Sequence, residues 1–207
     1  MNDLTLPRLV AAARHGTDCQ SHSGPSDQRY SCGNAPAVVI TAASARLIIG
    51  ATVISTTRHA NRAGELRAMG VDHPVVDDGR LAEKVRDLVP QGVDAALELV
   101  GCTVLPDTFG CVRVHGTVCF TGALAGGWSI PGFSPFLTPS GVRLTSYAGQ
   151  AADLPSDAFA RQLQALAEGR FTAPVAKVYH GLEQVHDAQA DVESGAIPGK
   201  HVVVLND

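Results

Sequence analysis

The residues best suited to chemistry follow a short apolar run rich in β-branched side chains, ATVISTT. Thr57 and Arg58 come at and just after the end of this run, and Arg62 follows one turn into the next segment. A guanidinium offers a bidentate fork to phosphate oxygens and a threonine hydroxyl adds a donor, so this group suits a phosphate dianion. The alternative is that both arginines only solvate the start of a helix, because exposed arginine is the ordinary case.

The cysteines and histidines do not indicate metal chemistry. The five cysteines are an odd number without a C-x-x-C pair, which favours neither a disulfide framework nor a cysteine-rich zinc site. The histidines show no ligand spacing such as H-E-x-x-H. We therefore expect no metal ion, reduced thiols, and histidines with structural or surface roles. The residues concerned are Cys19, Cys32, Cys102, Cys111, Cys119, His15, His22, His59, His73, His115, His180, His186 and His201.

Length and charge exclude two classes of partner. A net charge of -4 over 207 residues provides no basic footprint for nucleic acid or an anionic membrane surface. No run of about 18 apolar residues is present to cross a bilayer, and the apolar stretch near the N-terminus is too short for a secretory signal. These features favour a cytoplasmic protein whose partners are small molecules or other proteins.

The pattern along the chain divides it into two parts. Residues 1–35 are polar and turn-rich, which predicts an irregular or disordered segment. Residues 36–207 alternate short β-branched runs with amphipathic segments, which predicts parallel strands joined by helical crossovers. The predicted strands are PAVVIT, ATVISTT, VDHPVVDD, VDAALELV, GTVCFTG, VRLTSYAG and HVVVL; the predicted helices are Asn61–Met69, LAEKVRDLV, TVLPDTFGCVR, Asp157–Glu168 and Leu182–Ser194.

Four phrases in order carry a family resemblance: ATVISTTRHANRAGELRAMGVDHPV, GVDAALELVG, VRVHGTVCFTG and GAIPGKHVVVL. From Ala51 to Leu205 the chain resembles the C-terminal, nucleotide-binding half of the medium-chain dehydrogenase/reductase superfamily, of the quinone reductase or zeta-crystallin type. The resemblance implies a doubly wound, Rossmann-like parallel sheet with ligands at the carboxyl ends of the strands. It implies hydride transfer between a nicotinamide cofactor and a carbonyl or quinone substrate.

The resemblance also implies roles by position. The end of the ATVISTT strand reads the adenosine ribose, where an acid favours NAD and a cation accommodates the 2′-phosphate of NADP. Arg58 and Arg62, with Thr57, therefore favour NADPH over NADH. Further cofactor contacts are implied at two strand ends and at the GK phrase; the glycines among them are alternatively plain tight turns. These residues are Val100, Gly101, Thr121, Gly122, Ala123 and Lys200. Glu98 is an acid inside an apolar run, with local pairing as its simplest role.

The sequence departs from this pattern in two places. Relatives follow their first strand with a Gly-rich turn and a helix whose N-terminus holds the pyrophosphate. Between PAVVIT and ATVISTT only AASARLIIG remains, which suggests an internal deletion and an incomplete first β-α unit. The β-rich, GroES-like catalytic half of complete relatives has no counterpart here. We therefore name no catalytic residue.

Two functions follow from these departures. The first is a truncated or degenerate NADPH-dependent reductase, and the second is a non-catalytic Rossmann-like remnant that acts only through protein contacts. A homodimer is also expected, because family members place the segment near Val142–Tyr147 and the loop WSIPGFSPF close to the subunit contact. In this loop Trp128, Ile130, Phe133 and Phe136 either form an exposed apolar patch or simply cover the end of the sheet.

Overall fold

Alternation of β-branched runs with amphipathic segments produces a parallel α/β fold in the computed structural model of the chain. The structure describes residues 8–12, 51–123, 127–148, 155–170, 173, 175–194, 197 and 199–205. Its strands are β1 Arg8–Ala12, β2 Thr52–Thr57, β3 His73–Val76, β4 Val93–Glu98, β5 Val112–Phe120, β6 Arg143–Ser146, β7 Val175–His180 and β8 Lys200–Val204. Its α-helices are α1 Ala63–Ala68, α2 Leu81–Leu88, α3 Leu105–Cys111, α4 Ser156–Ala167 and α5 Val185–Ser194. Short 3₁₀ turns occupy Ala60–Arg62, Pro135–Leu137 and Leu182–Gln184.

Six strands form one sheet in the order β3-β2-β1-β4-β5-β6, and every neighbouring pair is parallel. This is the strand order of a doubly wound, Rossmann-like domain. The predicted fold class is therefore confirmed. Because all six strands point the same way, the loops that leave their carboxyl ends share one edge of the sheet.

The first strand is not where the sequence pattern placed it. Arg8–Ala12 lies between β2 and β4, and its Leu9 pairs with Val53 of β2 on one side and with Ala95 of β4 on the other. The prediction of an irregular segment over residues 1–35 is therefore wrong for these five residues. A central parallel strand needs only a few apolar residues, and RLVAA supplies them. The segment is too short to show a hydrophobic period from which the strand could be predicted. The predicted strand Pro36–Thr41 and the predicted deletion lie outside the described residues.

The core lies between the sheet and the helices α2 and α3. Its buried residues come from β-branched strand positions and from the inward faces of these helices, as the amphipathic pattern predicts. Ile54 of β2, Val85 of α2 and Phe109 of α3 are buried together in the central cluster, whereas the buried Val53 packs with Val71 and Leu66 in a second, smaller one. The central cluster comprises Ile54, Val75, Leu81, Val85, Val89, Val93, Ala96, Leu105, Phe109, Cys111, Val112 and Val118.

Two side chains connect α2, α3 and β5. The Asp107 carboxylate accepts hydrogen bonds from the backbone amides of Leu81 and Ala82, at 2.8 and 3.1 Å, and so caps the start of α2. Arg86 donates to three carbonyl oxygens: those of Gly110 and Val112 at the end of α3, and that of Pro90 just after α2. Side chains thus satisfy backbone groups that the short helices leave without a helical partner.

The strands β7 and β8 form a separate two-stranded parallel sheet that packs against α5. The sequence pattern missed β7, because four of its six positions are exposed and the run is short. Tyr179 is buried and donates a hydrogen bond to Asp191 of α5, which Lys177 also contacts at 2.8 Å. The Lys177 ammonium and the Tyr179 hydroxyl hold the pKa of Asp191 below its usual value. The His201 Nδ1 atom lies 2.8 Å from the same hydroxyl.

Candidate functional site

The carboxyl edge of the six-stranded sheet collects most of the residues that the sequence singled out. Loops leave this edge after Thr57, Glu98, Phe120 and Ser146. In open parallel sheets this edge is where ligands bind. The described residues place eight of the nine predicted cofactor contacts in or next to these loops.

At the end of β2 the chain makes a tight turn that presents a cation to solvent. The Thr57 side chain is buried, and its hydroxyl oxygen accepts a hydrogen bond from the His59 amide at 3.2 Å. This local bond shapes the turn, as threonine hydroxyls commonly do. Arg58 is exposed, whereas Arg62 is half-buried at the start of α1. Arg58 is therefore the more accessible of the two predicted phosphate ligands.

One acidic side chain, that of Asp77, lies near this turn. The Asp77 backbone amide donates to the Thr57 carbonyl at 2.8 Å, so the end of β3 lies beside the end of β2. The Asp77 side chain is buried and accepts a hydrogen bond from the Gly79 amide. Its carboxylate closes the next turn of the chain and is not presented to solvent as Arg58 is.

At the end of β4 the backbone is held by Glu98. Its carboxylate accepts hydrogen bonds from the amides of Val100 and Gly101, at 2.7 and 3.1 Å. Gly101 has φ +132°, a conformation that side chains rarely adopt, and it pairs with Gly127. A Cβ added at Gly101 would lie 2.8 Å from the Gly127 carbonyl oxygen. The chain's own packing thus requires glycine at position 101.

The end of β5 is more open. The Thr121 amide donates to the Glu98 carbonyl oxygen at 2.8 Å, which joins the two strand ends. Ala123 is buried, while Thr121 and Gly122 are half-buried. Among the described atoms, the nearest neighbour of a Cβ added at Gly122 would be the Leu99 carbonyl oxygen at 3.6 Å. Unlike Gly101, Gly122 is not required by its described neighbours.

Lys200 is the predicted contact that the six-stranded sheet does not include. It begins β8 in the separate two-stranded sheet, where it pairs with Val175 and its side chain is exposed. No backbone hydrogen bond of the described residues links β8 to the candidate edge. Its predicted cofactor role therefore stays a prediction.

A cavity of about 570 Å³ opens beside the ends of β5 and β6. Three aromatic side chains, those of Phe120, Trp128 and Phe133, line it together with Cys102 and Ser146. Burial, with a smaller contribution from Glu98, raises the pKa of the Cys102 thiol, which keeps it neutral. The sequence pattern did not predict this cavity, although Cys102 follows one predicted strand and Ser146 lies within another.

Further inside, burial raises the pKa of Cys111 to about 12, and burial also raises the pKa of Cys119. Thiols with raised pKa values are poor nucleophiles and poor metal ligands at neutral pH. Among the described residues, no group of three or more His, Cys, Asp or Glu side chains is arranged to hold a metal ion. Within the same ranges, no helix is long and apolar enough to cross a membrane.

Comparison with known proteins identifies the family. The family model described as zinc-binding dehydrogenase matches residues 69–203. The chain is also 33% identical over 176 residues to a probable quinone oxidoreductase of Leishmania amazonensis, covering 76% of this chain and 50% of that protein. The chain belongs to the zinc-binding dehydrogenase family. It corresponds to the C-terminal nucleotide-binding half of the medium-chain dehydrogenase/reductase superfamily, as the four phrases predicted.

Solved structures show the same fold. The quinone oxidoreductase of Escherichia coli complexed with NADPH superposes with a TM-score of 0.73 at 17% identity, over 96% of this chain and 57% of that one. A mycobacterial protein complexed with NADPH gives 0.69 at 23% identity, over 97% and 58%. This member of the zinc-binding dehydrogenase family spans about half the length of the relatives that it matches. Among the residues that the structure describes, no side-chain group fits the zinc of the family's name.

Proposed function

We propose that the chain binds NADP(H) in preference to NAD(H) and serves hydride transfer to or from a carbonyl or quinone substrate. The observation that carries this proposal is the exposed Arg58 guanidinium, which follows the end of β2 at the ligand-binding edge of a Rossmann-like sheet. The 2′-phosphate of NADP is a dianion that such a cation suits. Two proteins of the same fold are described as complexes with NADPH.

The residues at this edge fit the cofactor in separate places. Arg58 would hold the 2′-phosphate, and Arg62 lies in the next turn of the chain. The open backbone at Gly122 would allow the ribose and nicotinamide to approach the end of β5. The bound cofactor would supply the hydride, while the protein groups bind and orient it.

The aromatic cavity beside β5 and β6 suits the second reactant. Ligand cavities are commonly lined by apolar and aromatic side chains with a few polar groups. Phe120, Trp128 and Phe133 provide flat apolar surface for a quinone ring, and Ser146 provides a hydroxyl. A quinone or other conjugated carbonyl compound is therefore the substrate class that we propose. A cytoplasmic location belongs to the same proposal and rests on the sequence pattern.

The second candidate function is a non-catalytic module that acts through protein contacts. It is favoured by the amides of Val100 and Gly101, which are bonded to Glu98 inside the chain and so are already used within the protein. This candidate predicts no saturable binding of either nicotinamide cofactor.

The test is a titration of the purified chain with NADPH and, separately, with NADH, followed by Trp128 fluorescence and by the thermal midpoint. We expect the midpoint to rise with NADPH at lower concentration than with NADH, because a ligand that binds only the folded state stabilises it. Arg58→Ala should weaken NADPH binding by roughly 10- to 100-fold, the effect of losing a charged hydrogen bond, and leave NADH binding unchanged.

Arg67→Ala is the matched control, since Arg67 is an exposed arginine on α1. It should bind NADPH like the unchanged chain. Equal responses of the Arg58 and Arg67 variants would reject the phosphate role of Arg58. No response of the unchanged chain to either cofactor would reject the reductase proposal and favour the non-catalytic module.

The proposal includes a homodimer formed through the β6 edge. All four residues of β6 are exposed, and Phe136, Trp128 and Phe133 are 96, 64 and 45% exposed, whereas Ile130 packs against the core. An exposed strand edge beside apolar side chains is a surface that proteins normally cover.

Light scattering after size exclusion should therefore report a dimer. Leu144→Lys should convert it to monomer, because the new charge would be buried at the contact. Leu163→Lys, at a similarly exposed leucine of α4, is the control and should remain dimeric. A monomer at all concentrations for the unchanged chain would remove the dimer from the proposal.

A further inference from the structure

Glu98 is fully buried although it carries a carboxylate. Burial of an acidic side chain is unfavourable unless hydrogen bonds replace its hydration. Here the carboxylate accepts from the Val100 and Gly101 amides through Oε1, and from the Thr108 hydroxyl through Oε2. The side chain therefore connects the loop after β4 to the helix α3.

The backbone of Glu98 makes a second connection. Its carbonyl oxygen accepts from the Thr121 amide at 2.8 Å and lies 3.3 Å from the Thr121 hydroxyl. One residue thus bonds the loop after β4 through its side chain and the loop after β5 through its main chain. These are the two loops that contain Val100, Gly101, Thr121 and Gly122.

The carboxylate also supports the unusual backbone conformation at Gly101. Gly101 has φ +132°, and its neighbour Cys102 donates to the Gly127 carbonyl at 2.7 Å. Fixing the two amides before this point sets the direction in which the chain leaves β4. Without an acceptor at position 98, both amides would be buried donors without this partner, which is unfavourable.

We propose that Glu98 is a positioning residue, whose carboxylate fixes the loop after β4 so that this loop and the loop after β5 together accept the cofactor. The inference rests on the proposed function for the identity of the ligand. The positioning itself is a property of the chain without cofactor.

Hydrogen exchange and NADPH titration of Glu98→Met test the two parts separately. Methionine keeps the length and burial of the side chain and removes the acceptor. We expect amide exchange at Val100 and Gly101 to become at least about tenfold faster without cofactor, while Thr121, bonded to the main chain, stays protected. NADPH binding should weaken by about tenfold or more.

Two further variants separate positioning from general stability. Thr108→Val removes one donor to the carboxylate but keeps both amide bonds, so it should lower the thermal midpoint without changing exchange at Val100 and Gly101. Asp94→Asn alters an acid at the opposite end of β4, where its partner is Arg113, and should change neither exchange at this loop nor binding.

Glu98→Gln provides the conservative variant. Its carbonyl oxygen still accepts from both amides, and Thr108 can instead donate to the Val104 carbonyl, which lies 3.3 Å away. We expect it to restore slow exchange and most of the NADPH affinity, and its folding keeps the proposal testable if methionine is not tolerated. Unchanged exchange in Glu98→Met, or equal binding defects in the methionine and glutamine variants, would overturn the positioning role. If the unchanged chain does not bind NADPH, while exchange in the variants changes as expected, only the proposed function is rejected.

Discussion

Gly122→Ala is expected to weaken NADPH binding at least about tenfold while changing the free energy of unfolding by less than about 1 kcal/mol. A Cβ at this position meets described neighbours only at ordinary contact distance, so the folded chain should tolerate it. The same methyl group would occupy the open side of the β5 loop, where we propose that the cofactor approaches. Calorimetric titration together with chemical denaturation measures the two effects on one sample.

Gly101→Ala is the matched comparison, and we expect its main effect to be a loss of stability of the folded chain. Its backbone has φ +132°, and the new Cβ would lie 2.8 Å from the Gly127 carbonyl oxygen. Backbone strain and overpacking together should cost about 3 kcal/mol of stability. If both alanine variants bind NADPH like the unchanged chain, Gly122 is a plain turn residue and the proposed approach of the cofactor is wrong.

Arg86→Met is expected to lower the free energy of unfolding by about 2 to 3 kcal/mol, because three carbonyl oxygens lose a charged donor together. The donor atoms lie 2.9, 2.8 and 3.2 Å from the carbonyl oxygens of Gly110, Val112 and Pro90. Methionine keeps most of the aliphatic stem, so the change isolates the guanidinium from its packing. Denaturation in urea, monitored by circular dichroism, measures the difference.

Arg80→Met controls for the loss of a positive charge near the same helix. Arg80 is about two-thirds exposed and contacts Asp78 and Glu83 only at the surface, where such pairs contribute little. Its replacement should change stability by less than about 0.5 kcal/mol. Similar losses in both variants would show that Arg86 acts through net charge and not through its three carbonyl bonds.

The sequence predicted the parts of the fold that have strong local patterns. The helix Leu81–Leu88 and the strands Thr52–Thr57 and Val93–Glu98 were visible because apolar side chains recur with the correct period or fill a continuous run. The order of these elements along the chain, together with four family phrases in the expected order, was enough to predict the parallel sheet and the family. The structure confirms the sheet, and the comparison with known proteins confirms the family.

Other parts depend on partners that are distant in sequence. The strand Arg8–Ala12 acquires its place from pairing with β2 and β4, and five residues alone cannot indicate that position. The run that contains Glu98 revealed an acid among apolar residues but not its three donors, one of which comes from a helix ten positions away. The need for glycine at position 101 likewise arises from Gly127, across a loop.

The division into two sheets has a consequence for how the molecule opens. Five of the six positions of β2 are buried, whereas β7 has one buried position and β8 has none. A segment opens at the lowest cost in free energy when it makes few apolar contacts and when its backbone hydrogen bonds are exposed to solvent. The unit formed by β7, α5 and β8 should therefore behave as a separate, weaker foldon. Local unfolding of this unit would leave the ligand-binding edge of the larger sheet folded.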